Sequence, residues 1–240
     1  MSDGETISVD FGKPMPLFPL AQVTLMPHAA LPIHIFESRY RAMTRDVLQS
    51  SGQIALAVYA GGEWMSEEDV GADSAPVRPA VCVSQVVQHE RLPDGRYNLL
   101  VQGVCRAQIV REINPKEHGK PYRVAHLRPV GVETEEDVMA SERSRLTALF
   151  AGTSLRDLRE AKTIVKHLAD EDVPTSAILE LVTFSVLPDP ELRYKLLAEG
   201  NALRRSAIIR TQLDAIRSLL DRAAPQREAL AGLPKGVFNN

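Results

Sequence analysis

The hydrophobic pattern of this 240-residue chain changes period once, near residues 130–134, and this change constrains the fold more than any other feature. Before it, apolar residues alternate with polar ones over 104–110, and a continuous apolar run spans 53–59, as expected for half-buried and buried strands. After it, Leu, Ile and Val recur at helical spacing, most clearly over 202–220. The pattern predicts an α+β fold with a β-rich subdomain at 11–130.

The second half is expected to form a helical subdomain over residues 133–222. From residue 223 onward Pro and Gly recur, so we expect a flexible tail over 223–240. Within the β-rich half, the Asp94-Gly95 pair favours a tight hairpin turn. A segment over 60–75 contains five acidic residues and no Lys or Arg, and it is interpreted as a solvated loop.

Composition argues against several functional classes. The chain has 28 basic and 31 acidic residues, and this slightly acidic balance gives no electrostatic reason to expect nucleic-acid binding, which requires clustered Lys and Arg. No apolar run is long enough to cross a bilayer, and the acidic N-terminus does not resemble a secretory signal, so we expect no membrane association and a cytoplasmic location. Cys82 and Cys105 are expected to be thiols on strands, without a metal or any other cofactor.

Several ordered motifs in the chain resemble those of one known family, the N-terminal substrate-binding domain of the Lon proteases. The resemblance covers roughly residues 14–220 and is looser in the helical half. The motifs lie at 16–20 (PLFPL), 23–27 (VTLMP), 31–43 (LPIHIFESRYRAM), 92–97 (LPDGRY), 101–106 (VQGVCR) and 121–125 (PYRVA).

The resemblance implies a PUA-like β-barrel subdomain followed by a helical bundle, and a role in recognising unfolded or degron-bearing polypeptides. The 240 residues contain no phosphate-binding loop and no protease dyad, so we expect a stand-alone, non-catalytic member of the family. It would serve as an adaptor or modulator of proteolysis, with a protease as a further candidate partner. As to assembly, a monomer or a weak homodimer is expected.

Two other functions stay open at this level. PUA-like folds can bind RNA, although the charge balance disfavours it. Small-ligand sensing is the second alternative; in relatives outside the Lon proteases it uses a zinc-bearing module that needs four cysteines, and because this chain has two, that version is excluded. A surface potential would separate the alternatives, because RNA requires a basic stripe and a peptide requires an apolar groove.

The candidate peptide-binding residues are Phe36, Arg39, Tyr40 and Trp64. Aromatic residues and arginine commonly anchor interfaces. Phe36 and Met43 are nevertheless expected to seal the barrel against the first helix, and Arg39 is expected to face solvent or pair with Glu37. Trp64, the only tryptophan, lies in the acidic segment and is either an exposed anchor or a structural cap. The acidic segment itself would favour clients with basic flanks.

Overall fold

Six strands and seven helices form within the residues that the computed structural model describes, namely 7–60, 75–131 and 136–231. The predicted α+β class is therefore confirmed. In chain order the elements are β1 (Met15–Leu20), β2 (Ala30–Ile35), α1 (Ser38–Leu48), β3 (Gln53–Val58), β4 (Ala80–Arg91), β5 (Tyr97–Ile113), α2 (Pro115–His118), β6 (Val124–Pro129), α3 (Glu136–Gly152), α4 (Ala161–Leu168), α5 (Thr175–Val186), α6 (Pro190–Ala198) and α7 (Ala202–Ala231), with a short 3-10 helix at Ser154–Asp157 between α3 and α4.

The strands pair in the order β2, β5, β4, β3, β1 and β6, and β6 also pairs with β5. Because β6 contacts both β1 and β5, the pairings run in a closed circuit through five strands, and β2 is attached outside it. The first half of the 17-residue β5 pairs with β2, and its second half pairs with β6. β4 and β5 are joined by the turn at Gly95, which has a φ of +82°, as the Asp-Gly pair predicts.

The interior of the strand circuit is filled by small and branched side chains. All six residues of β3 are buried, which explains why its sequence is a continuous apolar run rather than an alternation. β1, β4 and β6 contribute Leu17, Val81, Val83 and Ala125, each fully buried in the same cluster. β2 lies outside this circuit, and the apolar surface beside it is described below.

Contacts between residues divide the chain into two compact units. The β-rich unit contains residues up to 133 together with 187–202, so α6 packs with the sheet although it follows the change of period. The hydroxyl of Tyr194 accepts a hydrogen bond from the Ala80 backbone N–H at 2.8 Å, and the guanidinium of Arg78 lies 3.4 Å from the centroid of the Tyr194 ring. The boundaries 11–130 and 133–222 stay predictions.

The helical unit contains α3, α4, α5 and α7. Ion pairs link its helices: Arg210 of α7 lies 3.1 Å from the buried Glu142 of α3, and Arg205 of α7 lies 3.3 Å from Glu180 of α5, with both partners buried. α7 continues through Pro225 to Ala231, into the segment expected to be a flexible tail. None of the helices in the described ranges combines the length and apolar character needed to cross a bilayer.

Candidate functional site

An apolar groove of about 310 Å³ lies beside β2, between the end of β1 and the start of α1. We call it the β2 groove. Its walls include Phe18 of β1, Val23 of the following loop, Leu31 and Ile33 of β2, and Tyr40 of α1. The lining is thus mainly aliphatic and aromatic, and it offers no carboxylate except that of Glu37.

The groove is open along a strand edge. β2 pairs with β5 on one side, and no strand in the described part of the chain pairs with its other side. Side chains alternate along β2, so that Leu31 and Ile33 are half-buried whereas Pro32 and His34 are exposed. A proline is compatible with an edge strand because it has no N–H to donate to a neighbouring strand. Backbone groups and apolar side chains of β2 therefore adjoin the same groove.

Phe36 is 61% exposed and lines the β2 groove. The interpretation that this ring seals the barrel against the first helix is therefore wrong. The reason is the alternation of β2, since Ile35 is directed inward with 1% exposure and the next side chain must point outward. The ring stacks on His34, with the two centroids 6.3 Å apart.

Tyr40 forms a wall of the groove and is itself only 4% exposed. Its ring meets Phe18 edge to face, with a centroid distance of 4.6 Å. Burial is the main cause that holds the pKa of the Tyr40 hydroxyl well above its usual value, so the side chain stays neutral. Arg39 lies over the same ring at 4.6 Å and pairs with Glu37 at 2.9 Å.

Three of the four sequence-predicted residues therefore lie together, Phe36 and Tyr40 in the groove and Arg39 against the Tyr40 ring. Trp64 and the acidic segment fall at 61–74, outside the described residues. Sequence reasoning missed Val23 and Ile33 as groove residues. The signal for Ile33 was present, because an alternating apolar strand next to the Phe36 motif predicts a shared surface.

The described residues include two cysteines together with several histidines and carboxylates. No group of three or more His, Cys, Asp or Glu side chains among them is arranged to hold a metal ion. Cys82 is fully buried, and burial raises the pKa of the Cys105 thiol, which disfavours the nucleophilic thiolate. What this surface offers is a mainly apolar lining next to a strand edge that no described strand pairs with.

Comparison with known proteins gives the chain a family context. The profile of the ATP-dependent protease La (LON) substrate-binding domain matches residues 14–215. Lon protease from Azorhizobium caulinodans is 26% identical over 181 residues, which cover 70% of this chain and 21% of that protein. Lon protease 2 from Myxococcus xanthus is 24% identical over 174 residues, covering 72% and 19%. The chain thus spans about a fifth of the length of these relatives.

Two solved structures share the fold. The N-terminal domain of Mycobacterium avium complex Lon protease superposes with a TM-score of 0.62 at 16% identity, covering 84% of this chain and 98% of that one. The Lon N-terminal domain protein from Xanthomonas campestris gives 0.51 at 16% identity, covering 92% and 99%. At such identities the likeness concerns the fold alone.

Proposed function

Since the chain belongs to the family of the LON substrate-binding domain, we propose that it is a non-catalytic protein-recognition module that holds an extended polypeptide in the β2 groove. The observation that carries the proposal is the coincidence of an unpaired strand edge with an apolar groove. Clients would be unfolded or degron-bearing polypeptides. The module would act as an adaptor or modulator of proteolysis.

Binding would proceed by addition of a client strand next to β2. Backbone N–H and C=O groups would supply affinity without sequence preference, and alternate client side chains would enter the groove. Phe36 is the exposed anchor of the groove. Tyr40 and Phe18 form its floor, and the guanidinium of Arg39 packs on the Tyr40 ring. The groove volume is at the lower end of the range for ligand pockets, about 300–1,000 Å³, so it accommodates only a few side chains.

We expect modest affinity, about micromolar or weaker, because ordering a flexible client costs conformational entropy. On sequence grounds alone Trp64 is proposed as a fourth contact. Because Trp64 is the only tryptophan of the chain, tryptophan fluorescence reports on this position alone. A client peptide should change its fluorescence emission, and the Trp64→Phe variant should lose that signal.

The test compares Phe36→Ser with Val110→Ser, using fluorescence anisotropy of a labelled, alternately apolar peptide. Val110 of β5 is a matched control because its exposure, 61%, equals that of Phe36. Phe36→Ser should weaken binding about tenfold, the loss typical of an interface anchor, without lowering the melting temperature. Val110→Ser should bind as the unaltered chain does. Equal affinities for all three proteins would refute the proposed site.

A second measurement tests the strand-addition geometry. In an added strand, every second client N–H points toward β2. Peptides N-methylated on one alternate set of residues should therefore lose binding, whereas methylation of the other set should be tolerated. If both sets were tolerated equally, the peptide would not bind as a strand, and the groove would act through side chains alone.

A further inference from the structure

A second cavity, of about 190 Å³, lies within the β-rich unit on another side of α1. We call it the arginine pocket. Three arginines from two elements converge on it, Arg41 and Arg45 from α1 and Arg91 from the end of β4. Its remaining lining residues are Ser38, Gly95 and Tyr97.

The three arginines have no carboxylate partner among the described residues: no ion pair and no side-chain hydrogen bond joins Arg41, Arg45 or Arg91 to them. A concave site that gathers three such positive charges attracts an anion, because guanidinium groups bind oxyanions through paired N–H donors.

The acidic residues nearest in sequence are engaged elsewhere. Asp94 pairs with Arg96 at 2.6 Å, and Glu37 pairs with Arg39 at 2.9 Å. Asp46 accepts hydrogen bonds from Lys120 and Tyr122, both at 2.6 Å. Asp94 and Asp46 still attract Arg41 and Arg45 electrostatically, but their hydrogen bonds go to other partners, so the guanidinium N–H donors of the pocket stay available.

Two details describe how the pocket is formed. The ring of Tyr97 is packed so that the residue is only 5% exposed, and its hydroxyl, which makes no hydrogen bond in the part of the chain that the structure describes, reaches solvent. The register places Tyr97 directly opposite Arg91 on β4. At the hairpin turn, a Cβ on Gly95 would lie 2.5 Å from Nη2 of Arg41, so the glycine gives that guanidinium room to lie over the turn.

We propose that the arginine pocket binds a carboxylate of the client polypeptide, an Asp or Glu side chain that flanks the apolar segment in the β2 groove. This inference rests on the proposed function. Glu37 lines the groove and Ser38 lines the pocket, and consecutive Cα atoms are only about 3.8 Å apart. One client can therefore reach both sites. The resulting preference, for acidic flanks, is opposite to the one expected from the acidic segment at 61–74.

The experiment uses the full chain and two labelled apolar peptides that differ at one flanking residue, Glu in one and Gln in the other. The Glu peptide should bind about tenfold more tightly at low NaCl, the difference expected for one charged hydrogen-bonded contact. The difference should shrink at high NaCl because salt screens exposed charges.

The variant Arg41→Gln/Arg91→Gln should lower the affinity for the Glu peptide to that of the Gln peptide, and should leave the Gln peptide unaffected. Arg111→Gln is the control, because it removes the same kind of charge from an exposed position in the second half of β5. A Glu preference that persists in the double variant, or that disappears equally in Arg111→Gln, would overturn the assignment.

The remaining outcomes separate this inference from the proposed function. If both peptides bind equally well, the pocket does not take the client carboxylate, while the groove proposal stands. Should neither peptide bind, the groove proposal is wrong and the carboxylate proposal falls with it. A phosphoserine peptide that binds more tightly, with Glu no better than Gln, would reassign the pocket to phosphate.

Discussion

The Tyr194→Phe substitution would remove a single buried hydrogen bond between α6 and the sheet. The Tyr194 hydroxyl accepts from the backbone N–H of Ala80 at 2.8 Å, and both residues are buried. Phenylalanine keeps the ring, so the stacking of Arg78 on its face, 3.4 Å from the centroid, is retained. The substitution therefore creates no large cavity and leaves the Ala80 N–H without a partner.

The expected loss follows from that unpaired group. Leaving a buried backbone donor unsatisfied costs about 1–3 kcal/mol, and the missing hydroxyl contributes little packing. We expect the free energy of unfolding of the β-rich unit to fall by about 2 kcal/mol. For a chain of this size the melting temperature should drop by about 4–8 °C.

Two assays measure the effect. Thermal unfolding followed by circular dichroism gives the change in melting temperature, and amide hydrogen exchange by NMR reports the Ala80 N–H itself. Tyr97→Phe is the matched control, because the Tyr97 hydroxyl is also on a buried ring but has no described partner. It should change the free energy of unfolding by less than about 0.5 kcal/mol.

The reasoning would be refuted by a Tyr194→Phe protein as stable as the Tyr97→Phe control, with unchanged protection of the Ala80 amide. That result would mean that the remaining contacts, including Arg78 on the Tyr194 ring, hold α6 on β4 without this hydrogen bond. Conversely, a loss far above about 3 kcal/mol would mean that the hydroxyl also organises neighbouring groups.

Two further predictions concern polar clusters outside the groove. Arg143 donates hydrogen bonds to four backbone carbonyls at the end of α4 and in the loop that follows. A lysine has a single ammonium group and cannot direct donors to all four, so Arg143→Lys should lower the free energy of unfolding, measured in urea, by about 2 kcal/mol. An unchanged urea midpoint would contradict this. Hydrogen bonds from Lys120 and Tyr122 lower the pKa of the Asp46 carboxyl from its usual value of 3.8. The Asp46 carboxylate therefore stabilises the fold fully above pH 3.8, and this stabilisation is lost as pH falls through the pKa of the folded state. Asp46→Asn should therefore destabilise at neutral pH, by less than about 1 kcal/mol at this half-exposed site, and the difference should vanish in acid; a pH-independent difference would contradict the assignment.

Local signals in the sequence were sufficient for much of the fold. The change of period separates the strands from most of the helices, and the Asp94-Gly95 pair marks the β4–β5 turn because only a few residue types tolerate its backbone conformation. The groove was predictable in part, since the motif containing Phe36 and Tyr40 marks the surface.

Long-range contacts were not predictable in this way. α6 has ordinary helical periodicity, and nothing local shows that Tyr194 reaches Ala80 of a strand 114 positions earlier. Arg41 and Arg45 are visible as neighbours on one helix face. Their convergence with Arg91 depends on the register of β4 against β5 and on where α1 lies, and a single sequence encodes neither explicitly.

The geometry of α1 explains how two chemically different sites can adjoin. Consecutive residues on a helix point about 100° apart, whereas residues four apart share a face. Tyr40 therefore faces the apolar groove, and the next residue, Arg41, faces the arginine pocket together with Arg45. Under the two proposals, a client strand that ends beside Phe36 would meet apolar contacts on one side of the helix and positive charge on the other. An apolar segment next to an acidic residue would then be the pattern that this helix selects, and apolar character alone would use only one of its faces.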